Sequence, residues 1–283
     1  MIPAEFEYRR ATTLDEAISL LQQSGGEGKF LSGGHSLIPL MKLRLSEPGL
    51  LIDISRIPQL HGIEEKDGMI QVGAATTHTE VLNSDLIRRL CPIVTMAAGE
   101  IGDPQVRNRG TMGGSLAHAD PAADYPAVMV ALDAEIHLKG PGGWRAVKAT
   151  DFFQGMFTVD LAEDEIIAAI RIPPARNGAY VKLHQRASHY AIVGVAAVLE
   201  MDGNVCRSAA IGLTGASTHA QRLPAVEAAL AGKDLTQANI DAAAAVAADG
   251  LEDVNSDIHA SEAYRRAMVK VFTRRAIERA LGH

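Results

Sequence analysis

Lys29-Phe30-Leu31-Ser32-Gly33-Gly34-His35-Ser36-Leu37-Ile38-Pro39 passes from a short apolar strand candidate through two glycines into a compact, partly helical segment over 37–45. A second glycine-rich turn, Gly110-Thr111-Met112-Gly113-Gly114-Ser115, lies downstream. In each, glycine admits φ > 0 and close approach, so several backbone N–H groups can face one anion while a neighbouring hydroxyl adds a donor. That is what a pyrophosphate requires. The chain has neither a Walker lysine nor a GxGxxG pattern, which points to a nucleotide fold other than the two common ones, and two unrelated tight turns are the competing reading.

Outward from the first turn, Thr13 and Glu16 have capping-box spacing, and Leu14, Ala17, Ile18 and Leu21 share one face of a helix that stops near Gly25-Gly26. Short strands over 29–31, 50–54, 70–74 and 135–138 make the first half mixed α and β. The polar stretch 101–109 is too rich in turn formers for a regular element. Paired prolines and Asn-Gly in Ile172-Pro173-Pro174-Ala175-Arg176-Asn177-Gly178 mark a boundary. Beyond it 180–185, 191–201 and 205–213 read as an antiparallel meander. From Leu223 the texture is alanine-rich helix, and a last helix over 261–281 is expected to bury Tyr264, Met268, Val271, Phe272 and Ile277, with Arg265, Arg266, Lys270, Arg274, Arg275 and Arg279 on its outer side.

A length of 283 residues suggests two or three compact units, and 47% hydrophobic with 22% charged residues is a globular composition. A net charge of −7 supplies no basic field for nucleic acid. The longest apolar run, 191–199, is nine residues, against the roughly 20 of a membrane span, so no transmembrane helix is expected. Residues 1–10 contain no apolar signal core, so the cytoplasm is the expected location. Cys91 and Cys206 stand apart, read as buried thiols, and leave an iron–sulfur or zinc site without its usual ligands. His118, Asp120 and Asp124 carry metal-ligand atoms, but proline interrupts the regular spacing that would align them, and the carboxylates could equally accept sugar hydroxyls or cap turns. No metal site is expected. His35 reads as a hydrogen-bonded turn residue rather than a catalytic acid or base, and no residue is assigned a catalytic role.

Taken together, Ser32-Gly33-Gly34-His35-Ser36-Leu37-Ile38-Pro39, Asp103-Pro104-Gln105-Val106-Arg107-Asn108-Arg109-Gly110-Thr111-Met112-Gly113-Gly114-Ser115 and Asp120-Pro121-Ala122-Ala123-Asp124-Tyr125-Pro126 resemble the medium, FAD-binding subunits of aerobic carbon monoxide dehydrogenase and related molybdenum hydroxylases of the xanthine dehydrogenase family. The likeness covers essentially the whole chain. It implies an α+β fold: a two-lobed PCMH-type FAD-binding domain over 1–175, with lobes of about 1–55 and 56–175, then a C-terminal domain of antiparallel sheet plus helices over 176–283.

Carried over position by position, the resemblance implies that Ser32, Gly33, Gly34, His35, Ser36 and Leu37, with Gly110, Thr111, Gly113, Gly114 and Ser115, hold the FAD pyrophosphate through backbone amides and hydroxyls. Asp124 matches a contact to the ribityl or ribose part, Lys29 a cofactor contact before the first turn, and Ile101 an apolar position near adenine. Ile167, Lys182 and Tyr190 are candidates near the flavin ring from the opposite side. Tyr190 could instead be core and Lys182 a strand-edge charge.

The resemblance further implies partner subunits, a large one with the molybdenum cofactor and a small one with two [2Fe–2S] clusters. It also implies a dimer of heterotrimers, electron transfer to a quinone or other acceptor, and a cytoplasmic complex able to approach the inner face of the membrane. Met112 stands where isoleucine is common, and Ser115 where some relatives have an amide or acid. The segment 182–190 departs from the more basic pattern of carbon monoxide dehydrogenases. The substrate of the parent complex therefore stays open among carbon monoxide, aldehydes, N-heterocycles and purines. A free-standing flavin oxidase and a non-enzymatic nucleotide-binding module are the competitors.

Overall fold

The computed structural model describes residues 2–282 as an α+β chain of three main sheets covered by helices. Glu7–Arg10, Leu50–Asp53 and Gly28–Leu31 form a parallel sheet with Leu50–Asp53 in the middle. The helix Leu14–Gln23 buries Leu14, Ala17, Ile18 and Leu21, the face expected from their spacing. Thr13 caps it by accepting from Glu16 N at 3.1 Å. The Glu16 carboxylate returns not to Thr13 but to Thr12, whose N and Oγ1 each donate to it at 2.7 Å, so the reciprocal half of the cap sits one residue earlier.

Asp53 ends the central parallel strand and ties it to its neighbour, accepting from the Tyr8 hydroxyl and from Arg10 Nε at 3.1 Å. Burial alone would raise this carboxyl, but bonds from Ser55, Tyr8 and Arg10 outweigh burial and hold it at about 2. A carboxyl depressed in the folded state adds stability above its unfolded value, and that stability is lost as pH falls through the folded value. Acid unfolding of the chain is thus expected to include a step between pH 4 and 2 that Asp53→Asn removes. An unchanged acid limb in the variant would show that these bonds add nothing.

The second sheet is antiparallel, in the order Ile63–Lys66, Met69–Gly73, Ile166–Ile172, Glu135–Gly140, Gly143–Lys148. Its central strand, Ile166–Ile172, has no counterpart in the sequence reading, because Ile166, Ile167 and Ala168 are buried in succession and show no alternation. The ladder to Glu135–Gly140 shifts between Ile167 and Ala169. This bulge turns the Ala168 carbonyl toward Ala74 N, 3.0 Å away, and so fixes where the chain leaves Met69–Gly73.

The third sheet is the expected meander, Gly178–His184, Ala191–Asp202 and Val205–Thr214, extended by Gln221–Arg222 and Lys233–Asp234. Asp124–Leu132 lies on it, buried at every position, which erases any amphipathic period. Gly212 is required by this contact: a Cβ there would stand 2.0 Å from the Ala127 carbonyl oxygen.

Helix Glu262–Ala280 also packs on this sheet, but its buried stripe is Arg265, Val269, Phe272, Thr273, Ala276 and Ile277, while Tyr264 is 46% exposed. The expected stripe is rotated because Arg265, only 3% exposed, finds acceptors inside: the Ile192 and Gly215 carbonyls at 2.7 and 2.9 Å and Asp257 at 2.6 Å. Two further differences concern the glycine-rich region. Pro104–Arg107 is a one-turn helix, capped by Asp103, which accepts from Val106 N at 2.8 Å. The second glycine turn is itself the start of helix Met112–His118. Cys91 and Cys206 are buried free thiols, and burial pushes that of Cys91 up to about 12. No helix among the described residues is long and apolar enough to cross a membrane.

Candidate functional site

A cavity of about 610 Å³, a volume suited to a small-molecule ligand, is lined by strand Gly28–Leu31, the start of strand Ile166–Ile172, both glycine turns and the loop over 188–190. Of the positions singled out from the sequence, Lys29, Ser32, Gly33, Gly34, His35, Ser36, Leu37, Ile101, Gly110, Thr111, Gly113, Gly114, Ser115, Asp124, Ile167 and Tyr190 all border it, and Lys182 does not.

The two glycine turns are unlike one another. The first leaves strand Gly28–Leu31 and enters helix Leu37–Lys42 with Gly34 at φ +78°, a conformation that favours glycine. The amides of Gly33, Gly34, His35, Ser36 and Leu37 donate to no acceptor in the described chain. In the second turn the amides of Gly110 and of 112–115 are engaged. Met112 N donates to Thr76 O (3.0 Å), Gly113 N to Ala74 O (2.8 Å), Gly114 N to Thr111 Oγ1 (3.1 Å) and Ser115 N to Thr111 O (3.0 Å). The row of free donors over 33–37 fits a diphosphate, and the second turn can add side-chain hydroxyls.

Glycine in the second turn serves close packing instead. A Cβ on Gly113 would lie 2.5 Å from the Ala74 Cβ, and one on Gly110 2.6 Å from His78 Nε2. Gly33 brings the turns together, since its missing Cβ would stand 2.2 Å from the Arg109 carbonyl oxygen. Ser32 Oγ and Thr111 Oγ1 meet across the seam at 3.1 Å. His35 Nε2 lies 3.3 Å from the Gln105 carbonyl, a turn contact of the kind read from the sequence.

Asp124, at the start of helix Asp124–Leu132, uses one oxygen inside the protein: Oδ1 accepts from the Tyr180 hydroxyl at 2.7 Å and from Lys182 Nζ at 2.8 Å. Burial raises its carboxyl, and the Lys182 ammonium and Tyr180 hydroxyl pull against that rise. Lys182 stands behind the wall, its side chain 1% exposed, and also donates to the Glu100 and His189 carbonyls. The His118, Asp120 and Asp124 set does not act together: Asp120 caps a turn by accepting from Ala122 N at 2.8 Å, and Asp124 is paired with Lys182. Tyr190, 44% exposed, stands at the rim, where desolvation of its phenol and the carboxylates Asp120 and Asp124 push its pKa up and keep it neutral.

Two ionisable wall residues, His78 and Glu165, escaped the sequence reading. His78 begins helix His78–Asn83 and is buried edge-on against Tyr125 at 5.3 Å, and burial with the nearby charges of His35 and Arg107 lowers its imidazole to about 4. It is uncharged at neutral pH. The capping box of Thr77 and Glu80 would have placed it at a helix start. Glu165, near the bulged strand, is fixed by Arg145, whose Nε and Nη2 donate at 2.7 Å. Arg145 also holds Asp160, and no local motif announces that network.

A free-amide turn beside a cavity of this size is a site that a nucleotide's phosphates fit. Residues 4–175 match the family of the FAD-binding domain in molybdopterin dehydrogenase, and residues 178–280 that of the CO dehydrogenase flavoprotein C-terminal domain. The chain is 39% identical over 283 residues to the carbon monoxide dehydrogenase medium chain of Hydrogenophaga pseudoflava, covering 99% of this chain and 98% of that one. It is 36% identical over 285 residues to the 6-hydroxypseudooxynicotine dehydrogenase complex subunit alpha of Paenarthrobacter nicotinovorans, covering 99% and 96%. Its fold matches the carbon monoxide dehydrogenase of Hydrogenophaga pseudoflava solved without the Mo-pyranopterin moiety of its molybdenum cofactor. The TM-score is 0.96 at 40% identity, over 100% of this chain and 99% of that chain. The chain therefore belongs to the FAD-binding medium subunits of the molybdenum hydroxylases.

Proposed function

We propose that this chain carries FAD in the cavity between the glycine turns and the meander, and serves as the electron-transfer subunit of a carbon monoxide dehydrogenase-type complex. The observation that carries this reading is the run of uncommitted amides over 33–37, opposite Thr111, in a chain 39% identical to a carbon monoxide dehydrogenase medium chain. The proposed organisation is an FAD-binding unit over 1–175, with lobes of about 1–55 and 56–175, and a C-terminal unit over 176–283. The first turn takes the diphosphate, with Thr111 and Ser115 adding hydroxyls. Ile101 and Ile167 supply apolar walls and Asp124 accepts from cofactor hydroxyls. Lys29 borders the cavity from the strand before the first turn. When bound, FAD supplies the one- and two-electron redox chemistry by which electrons received from a partner's [2Fe–2S] clusters leave to an external acceptor. The chain's own part is to bind, orient and shield that group.

The proposed partners are a large molybdenum-cofactor subunit and a small iron–sulfur subunit, in a dimer of heterotrimers that delivers electrons to a quinone or another acceptor in the cytoplasm. A second reading of the parent substrate is favoured by the relative of similar identity from a 6-hydroxypseudooxynicotine dehydrogenase complex: an N-heterocycle or aldehyde in place of carbon monoxide. Native co-purification tests both. The expected result is a three-subunit complex bleached by carbon monoxide, whereas bleaching only by an aldehyde or heterocycle selects the second reading, and a chain recovered alone contradicts the assembly. Tyr190→Ala is expected to leave folding intact while raising fluorescence of the bound flavin severalfold and speeding its reoxidation. An unchanged spectrum and reoxidation rate would remove Tyr190 from the site.

A further inference from the structure

Lys182 and Asp124 form the most enclosed ion pair among the described residues, with side chains 1% and 6% exposed. Lys182 Nζ lies 2.8 Å from Asp124 Oδ1, 2.6 Å from the Glu100 carbonyl and 2.7 Å from the His189 carbonyl. These acceptors sit on three separate pieces of the fold: the start of helix Asp124–Leu132, the end of helix Pro92–Glu100, and the turn over 185–190. An ammonium carries three protons, and each has an acceptor, so none is left for a molecule in the cavity.

The turn over 185–190 is closed upon itself. His189 N donates to Gln185 O at 2.9 Å, Gln185 N to Tyr190 O at 2.8 Å, and Ala187 N to Gln185 Oε1 at 2.8 Å, while the rings of His184 and His189 stack at 5.5 Å. It is tied to the FAD-binding half through Lys182, which donates to the His189 carbonyl and reaches Glu100 and Asp124 on the other side, and beside it Ala191 N donates to the Ala122 carbonyl at 3.1 Å. His189 has φ +62°, in the left-handed region that few residues other than glycine occupy. Its carbonyl is the one Lys182 holds. Ser188, His189 and Tyr190 border the cavity.

We propose that Lys182 is a positioning residue rather than a cofactor ligand: its buried ammonium clamps the 185–190 turn to the FAD-binding half and thereby sets the Tyr190 ring over the cavity. The clamp's effect on a flavin rests on the function proposed above; its effect on the turn does not.

Hydrogen exchange of the cofactor-free full chain separates the two. The variant is Lys182→Met combined with Asp124→Asn, which removes both charges and leaves neither buried alone. Amides of Ala187, His189 and Ala191 are expected to exchange at least tenfold faster than in the parent, with Val195 in the adjoining strand unchanged. After FAD loading, the double variant is expected to reproduce the raised flavin fluorescence of Tyr190→Ala. Exchange within twofold of the parent overturns the clamp, as does a changed flavin spectrum with the turn still protected.

Should the double variant fail to fold, the parent chain decides. Acylation of Lys182 by a small amine-reactive ester is expected to proceed no faster than the opening of the His189 amide, and labelling without opening contradicts the proposal. A parent chain that takes up no FAD defeats the functional reading and leaves exchange of the turn to judge the clamp.

Discussion

Gly33→Ala is expected to weaken FAD binding by about a hundredfold, equivalent to roughly 2.7 kcal/mol, because it drives the two glycine turns apart. The added methyl would stand 2.2 Å from the Arg109 carbonyl oxygen and 2.8 Å from Gly110 Cα, both backbone atoms with no rotamer to yield. Separation would break the 3.1 Å contact between Ser32 and Thr111 and displace the free amides from the second turn. Overpacking of this kind costs about 1–3 kcal/mol of folding stability as well. Gly142→Ala is the control, since a Cβ there meets nothing within 4 Å. Fluorescence titration with FAD, alongside urea unfolding, measures both effects. A folded Gly33→Ala chain with parental affinity would mean that the seam does not shape the site.

Arg265→Met is expected to lower stability by about 3 kcal/mol, the order found when one partner of a buried charged network is removed. The side chain is 3% exposed, and its loss leaves the carbonyls of Ile192 and Gly215 without their donors at 2.7 and 2.9 Å. Gly215 N in turn donates to the Pro121 carbonyl at 2.7 Å, so the disturbance reaches the loop before Asp124. By contrast Arg207→Ala, which breaks an exposed pair with Asp202, is expected to cost less than about 0.5 kcal/mol. A loss below about 1 kcal/mol for Arg265→Met would show that water replaces the guanidinium at little cost.

What could be read from the residues alone follows how local each signal is. The first helix was legible because Thr13 and a four-residue apolar face specify it within one short segment. The meander over 178–214 was legible because its strands are long and follow each other directly. The central strand Ile166–Ile172 and helix Asp124–Leu132 were not, because both are surrounded by protein and carry no polar face to mark their period. Position 265 was misplaced for the converse reason. A charged residue is assigned to solvent unless its acceptors are known, and those of Arg265 come from residues 50 and 73 positions away.

The site divides in the same manner. Glycine and hydroxyl clusters exposed both turns, but which turn keeps its amides free depends on Ala74 and Thr76, nearly forty residues before the second. Lys182 could be chosen as a cation near the cavity, whereas its enclosure by Glu100, Asp124 and His189 exists only in the folded chain. His78 and Glu165 join the wall through Tyr125 and Arg145, partners that no short motif contains.

Backbone amide chemical shifts during titration of the full chain with FAD, ADP and riboflavin test the diphosphate cradle most directly. The signals of Gly33, Gly34, His35, Ser36 and Leu37 are expected to move with FAD and with ADP, which share the diphosphate, and to stay in place with riboflavin, which lacks it. Shifts at saturating FAD that leave all five amides untouched would contradict the account.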